Sequence, residues 1–245
     1  MTRIIILAAG KGTRMDSELP KVLVPLKGRP MIKYLMDSVV ASGVDPKPLI
    51  VVSPDNKEII SQELADYQLE YLIQDKQLGT GHAVSCATDY LGEGADNVLV
   101  LYGDQPFLKC DSIKKFATLK QDALTIMSTL LEDFNDWRQN FYHLGRIIRD
   151  AKGNVQKIRE FKDANDEEKL VTEINLGFMC FNNDWLLKNL DKLKNDNNQQ
   201  EYYLTDLVKI AFNEGRVIGS ILIESHEALG INSVKDLNVA ESLLS

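Results

Sequence analysis

The chain has 245 residues, enough for one large α/β domain or two small ones. It is 44% hydrophobic and 26% charged, an ordinary globular composition, and its net charge of −8 argues against a nucleic-acid binder, which would present a basic field. Cys86, Cys110 and Cys180 lie far apart, with neither metal-ligand spacing nor a disulfide framework, and so point to a reducing, cytoplasmic compartment. No apolar segment approaches the ~18 residues of a membrane helix, and the first residues do not read as a signal peptide.

Residues 4–7 (IIIL) form a continuous apolar run and are predicted to be a buried parallel strand. The run breaks into Ala8-Ala9-Gly10-Lys11-Gly12-Thr13-Arg14, and Pro20-Lys21 follows. Such glycines let a chain turn sharply and bring N–H groups close to an anion, while Arg14 and Lys21 add cations on the same side. On an acidic protein, this is a local concentration of positive charge suited to phosphates. Neither the P-loop spacing nor the dinucleotide G-x-G-x-x-G is present.

Strand and helix then alternate. Residues 30–42 are predicted to be a helix, with Pro30 in its first turn, Gly43 past its end, and Met31, Leu35, Met36, Val39 and Val40 near helical spacing. Residues 49–52, 69–73, 98–102 and 124–131 read as strands; residues 56–66, 80–91 and 111–121 read as helices. Repeated β-then-α order implies a parallel sheet with right-handed crossovers and helices on both faces. Ligands then belong at the carboxyl ends of the strands, where loops 9–14, 74–81 and 103–106 should gather.

The second half changes character. Residues 145–149 and 155–160 flank Asp150-Ala151-Lys152-Gly153, a hairpin signal. Residues 161–169 (FKDANDEEK) read as a charged loop, 173–181 and 217–223 as strands, and 184–194, 202–214 and 233–244 as helices.

The string L-A-A-G-x-G-T-R-M-x-x-x-x-P-K, filled by residues 7–21, is long and specific. It resembles the start of the sugar nucleotidyltransferases. Further segments, QDKQLGTGHA, LYGDQP, GRIIRD with EFKDA and EINLG, and EYYLTD with GIN, follow in order over nearly the whole chain. Together they resemble the N-acetylglucosamine-1-phosphate uridyltransferase (pyrophosphorylase) domain of the bifunctional GlmU proteins. The resemblance implies a Rossmann-like, GT-A-like α/β fold: a mostly parallel central sheet flanked by helices, with residues 1–131 as the nucleotide half and 132–245 as a sugar-binding lobe of one domain. It implies Mg²⁺ as cofactor and UTP and a sugar 1-phosphate as substrates, with no nucleic acid or membrane partner.

The resemblance also implies roles. Asp104 and Asn232 would bind Mg²⁺, a cation that takes few carboxylates plus substrate phosphates. Lys21 and Arg14 would touch the triphosphate as catalytic cations. Leu7, Ala8, Gly10, Gly12, Gln74, Gln77, Gly79 and Thr80 would bind the nucleotide, a glutamine amide suiting the paired donor and acceptor of a pyrimidine edge. Tyr102, Gly103, Gly145, Glu160, Asn175, Tyr203 and Thr205 would line the sugar site. His82 is expected to be structural rather than catalytic.

Departures from the family pattern cluster around the sugar. His143-Leu144-Gly145 stands where the family has Gly-Tyr-Gly, and Glu173-Ile174-Asn175-Leu176-Gly177 where it has Thr at the fourth place. N-acetylmuramic acid 1-phosphate, another hexosamine or a plain hexose therefore stays open beside N-acetylglucosamine 1-phosphate. CTP or dTTP stays open beside UTP. The family's hexapeptide-repeat half is not visible, so its acetyl transfer and trimer do not carry over, and the oligomeric state is open. A non-catalytic sensor of the same fold would be expected to lose the metal ligand and the phosphate lysine; this chain keeps Asp104, Asn232, Arg14 and Lys21.

Overall fold

A computed structural model describes residues 1–10, 12, 15, 17–92, 94–119 and 122–244. The elements in chain order are β1 (Thr2–Leu7), a short β2 (Pro25–Leu26) and β3 (Arg29–Pro30) pair, α1 (Met31–Ser42), β4 (Leu49–Val52), α2 (Lys57–Glu63) and β5 (Glu70–Ile73). There follow α3 (Thr80–Ser85), β6 (Asn97–Tyr102), α4 (Cys110–Ala117), β7 (Leu124–Leu130), β8 (Arg146–Arg149), β9 (Val155–Arg159) and α5 (Asp166–Lys169). The chain closes with β10 (Glu173–Asn182), α6 (Asn183–Asn189), α7 (Asp206–Asn213), β11 (Ile218–Leu222) and α8 (Val234–Leu243).

The main sheet runs β11-β7-β10-β6-β1-β4-β5. Strands β6, β1, β4 and β5 pair in parallel, as does β11 with β7. The consecutive β-α order suggests β7 as the neighbour of β6. Instead β10 enters antiparallel between them, so β6 and β7 still point the same way across it. The hairpin β8–β9 hangs from β10 through the Ile174–Arg146 pair. This insertion brings the second half of the chain to the same sheet edge as the first.

Alternation along β1 explains the two layers. Ile4 and Ile6 face the core under α1, α4 and α8; Ile5 faces the core under α3, α6 and α7. All three isoleucines are fully buried, each contributing about 1.5–3 kcal/mol of apolar transfer. Helix α1 buries Met31, Ile32, Leu35, Met36 and Val39 and ends at Gly43, whereas Val40, expected on that face, is exposed.

Several boundaries differ from the sequence expectation. Helices α2, α3, α4 and α6 are shorter than expected, with short 3-10 turns extending α2, α3 and α6. Helix α7 starts at Asp206 rather than 202, because residues 202–204 bond to the segment that opens α3: the Tyr202 N–H donates to the Leu78 carbonyl at 2.8 Å, and the Leu204 N–H to the Thr80 hydroxyl at 3.1 Å. The charged segment 161–169 is not all loop; Asn165 and Glu168 form a reciprocal capping box that starts α5. Among the described residues, no helix is long and apolar enough to cross a membrane.

Candidate active site

The carboxyl ends of β1, β5 and β6 converge as their order requires. A cleft of about 760 Å³ is lined by Leu7, Ala8, Gly10, Lys21, Gln74, Gln77, Gly79 and Thr80, with Tyr102 and Asp104 on its far wall. The Gln77 amide donates to the Ala9 carbonyl at 2.6 Å, tying the β5 loop to the glycine loop. Buried Gln74 donates to the Gly79 carbonyl at 3.1 Å and lies 3.1 Å from His82 Nδ1, so His82 touches the side chain that closes the loop. Gly12 faces the base of Lys21: a Cβ there would lie 2.5 Å from the Lys21 Cβ, and its φ is +62°. The second glycine of the motif is thus needed for the loop to lie flush on the lysine. Arg14 lies outside the described residues.

The cleft ends at a three-residue junction. The Lys21 ammonium ion-pairs with the Asp104 carboxylate and donates to the Asn232 side-chain oxygen at 2.6 Å. The Ile231 N–H donates to the Asp104 carbonyl at 2.9 Å, closing the loop that carries Asn232 onto the end of β6. Residues 211 positions apart meet here at one cation. Among the described residues, no group of three His, Cys, Asp or Glu side chains gathers into a metal cage. The donor set is one carboxylate and one amide oxygen converging on a single positive centre. That set fits Mg²⁺, a hard cation that completes its shell with water and substrate phosphates rather than with an all-protein cage.

Beyond the junction lies a second cavity of about 260 Å³, whose lining includes Tyr102, Asp104, Gly145, Glu160, Asn175, Tyr203, Thr205 and Asn232. It shares Thr80, Tyr102, Asp104 and Glu201 with the first. Seven separate segments, around residues 80, 102–105, 140–145, 160, 175–177, 199–205 and 229–232, build it. The Asn175 N–H donates to the Gly145 carbonyl at 2.8 Å, and its side-chain oxygen accepts from the Gly177 N–H at 3.1 Å. The β10 register shifts between Asn175 and Met179; at this bulge Gly177 has φ +82°, and a Cβ there would lie 2.7 Å from the Tyr102 ring. The Thr205 hydroxyl donates to Glu160 at 2.9 Å. Burial pushes the Glu160 carboxyl above its ordinary value, against the Thr205 bond and reinforced by Asp206, Asp163 and Glu201. Burial also raises the Tyr102 hydroxyl, with Glu160 adding to it, and raises that of Tyr203 to about 12.

One wall of this cavity hangs on Arg146, whose side chain is fully buried. Its guanidinium donates to the carbonyls of Tyr142 (2.7 Å), Leu144 and Lys169 (3.3 Å) and lies over the Phe134 ring at 4.8 Å. Burial lowers its pKa.

The structure therefore brings together Lys21, Asp104 and Asn232, the described nucleotide-loop residues, and the sugar-side residues except Gly103. Gly103 lines neither cavity; a Cβ there would lie 3.0 Å from Val22 and 3.2 Å from Ile32, so it packs the strand end against α1. His143, Leu144 and Leu176, the family departures, do line the second cavity. Sequence reasoning passed over Gln105, Glu201 and Glu227. The first two stand inside the quoted segments LYGDQP and EYYLTD and line the cavities, whereas a lone Glu227 carries no sequence signal.

Residues 4–149 match the family model of the MobA-like NTP transferase domain. The chain is 40% identical to the "Bifunctional protein GlmU" of Caldicellulosiruptor saccharolyticus over 241 residues, 98% of this chain and 51% of that protein. It is 38% identical to the protein of the same name in Bacillus subtilis over 244 residues, with the same coverage. The chain thus spans about half the length of the curated relatives it matches. Taken with the glycine loop and the lysine–carboxylate junction at its mouth, the match shows that the chain is a nucleotidyltransferase of the MobA-like NTP transferase domain family, similar along nearly all its length to GlmU proteins.

Proposed function

We propose that the protein transfers a uridylyl group from UTP to a sugar 1-phosphate, with N-acetylglucosamine 1-phosphate as the first acceptor and Mg²⁺ as cofactor. The observation that carries this reading is the junction of Lys21, Asp104 and Asn232 between two cavities that share a wall. A nucleoside triphosphate in the first and a sugar phosphate in the second would meet there.

A phosphate oxygen of the sugar 1-phosphate forms a bond to the α-phosphorus of UTP. The bond from that phosphorus to the α–β bridging oxygen breaks, and pyrophosphate leaves with the electron pair. The acceptor needs no general base, because a phosphate monoester with a second pKa of about 6 is already mostly dianionic at neutral pH. The barrier is repulsion between two anions, and fixed positive charge offsets it. Lys21 supplies one such charge, and the family resemblance assigns Arg14 a second. Asp104 and Asn232 would hold Mg²⁺, which when bound neutralises phosphate charge. Glu160 and Asn175 orient the sugar by accepting and donating to its polar groups.

A second reading changes only the sugar. His143, Leu144 and Leu176 alter the lining of the second cavity, which favours testing hexose and other hexosamine 1-phosphates in parallel. Pyrophosphate release measured over a grid of nucleoside triphosphates and sugar 1-phosphates tests both readings. The expected result is a single strong combination in the UTP row. Silence across the grid, with UTP still bound, would replace the enzyme by a ligand-sensing module.

A further inference from the structure

Asp104 and Asn232 stand 128 positions apart in the chain, so something must fix the distance between them. Beside the Lys21 bridge, a backbone bond ties their segments, from the Ile231 N–H to the Asp104 carbonyl at 2.9 Å. A second tie lies behind it. Glu227, only 5% exposed, accepts at one oxygen from the Lys109 N–H at 3.0 Å and from the Ser112 hydroxyl at 2.7 Å. Its other oxygen lies 3.5 Å from the Lys109 ammonium. Lys109 is the N-cap of α4, where a carboxylate interacts favourably with the exposed N–H groups of the helix start.

The chain positions make this a brace. Lys109 stands five residues after Asp104, and Glu227 five residues before Asn232. Glu227 joins the two arms at their far ends, and the Ile231–Asp104 bond joins them next to the oxygens that matter. The arms themselves are immobilised in the core: Leu108, Ala228, Leu229 and Ile231 are buried. A buried carboxylate engaged by three donors of another segment ties the loop to the start of α4.

We propose that Glu227 is a positioning residue for the cation site: by bracing the 227–232 loop against the start of α4, it sets the Asn232 oxygen opposite the Asp104 carboxylate. The proposal rests on the reading of Asp104 and Asn232 as the metal ligands. Partners one step behind a ligand hold its orientation, and their loss typically weakens metal binding by about 10–100-fold.

The test titrates Mn²⁺, as a paramagnetic stand-in for Mg²⁺, into the intact chain without nucleotide and follows the free ion by electron paramagnetic resonance. UTP binding in chelator is measured beside it by calorimetry. Glu227→Ala is expected to weaken Mn²⁺ binding about tenfold or more while leaving metal-free UTP binding unchanged. Glu227→Gln, which keeps an oxygen for the Lys109 N–H and the Ser112 hydroxyl, is expected to restore most of the affinity. Asp104→Ala separates the two levels. If it leaves Mn²⁺ binding intact, the ligand assignment falls and the brace with it. If it abolishes Mn²⁺ binding while a folded Glu227→Ala protein binds Mn²⁺ like the parent, the ligands stand and the brace is overturned. Should Glu227→Ala fail to fold, Ser112→Ala removes one donor of the same brace, and an unchanged Mn²⁺ affinity in that variant overturns the proposal equally.

Discussion

The two cavities meet at Asp104 yet are built in opposite ways. The nucleotide cleft is built from loops that leave the ends of parallel strands, including β1, β5 and β6, with Gly79 at a left-handed turn where a Cβ would lie 2.7 Å from the Tyr202 carbonyl. The sugar-side cavity is lined by residues from seven separate segments, several of them brought to the same edge by antiparallel β10 and its attached hairpin. The first has its shape dictated by strand order. The second depends on two polar groups withdrawn from solvent, partly buried Glu160 and fully buried Arg146, whose desolvation must be offset by the bonds they make. Damage to the first should therefore appear in turnover, and damage to the second in stability and acceptor binding.

The sharpest break is at the shared wall. Asp104→Ala and Lys21→Ala are each expected to lower turnover about a hundredfold or more while circular dichroism stays that of the folded protein. Either variant working near the parental rate would remove the junction from the chemistry. On the sugar side alone, Arg146→Ala is expected to cost about 3 kcal/mol in urea unfolding, since it strands backbone carbonyls of residues 142, 144 and 169 in the interior. It should raise the KM for the sugar phosphate and spare that for UTP. Arg146→Lys should not rescue it, because a lysine cannot reproduce the planar fork. Equal KM changes for both substrates would erase the distinction between the two regions.

Glu160 carries a pH signature. Its carboxyl is raised in the folded protein, so its contribution to stability is fully present below the unfolded-state value and is lost as pH rises through the folded-state value. Glu160→Gln is expected to stabilise the protein relative to the parent at neutral pH, with the gap narrowing toward acid. It should also weaken the sugar phosphate about tenfold through loss of a charge-assisted acceptor. Thermal unfolding across pH together with acceptor KM reads both effects; a gap that does not change with pH would contradict the buried-carboxyl account. The smallest expected effects are a matched pair. Gly12→Ala and Gly177→Ala each force a side chain into the left-handed region, costing about 1–2 kcal/mol, with new contacts at Lys21 and Tyr102 respectively. The first should act on UTP kinetics and the second on the acceptor.

The same contrast decides what could be read before the structure. Strands β1, β4 and β6 announce themselves as unbroken apolar runs, and the glycine loop with Lys21 falls where such strands must end. The place of β10 does not follow from sequence order, because its antiparallel entry is set by pairing between segments far apart. Residues 202–204 have a helical pattern but are not helical, since the N–H groups of Tyr202 and Leu204 find partners at Leu78 and Thr80 that no local pattern reveals. The start of α5 was legible in principle: Asn165 and Glu168 have capping-box spacing inside what otherwise reads as a solvated charge run. Glu160 was found through its segment. Nothing in the sequence marks Arg146; only the fold shows the carbonyls gathered around it.

If one junction serves both substrates, what binds in each cavity reacts with the other. Phosphorus-31 resonance of the protein incubated with UTP, N-acetylglucosamine 1-phosphate and Mg²⁺ tests it most directly. The account predicts a new coupled pair of diphosphate signals rising in step with pyrophosphate while the sugar phosphate signal falls. Both ligands bound with no new diphosphate, or UTP cleaved to UMP with the sugar phosphate untouched, would contradict it.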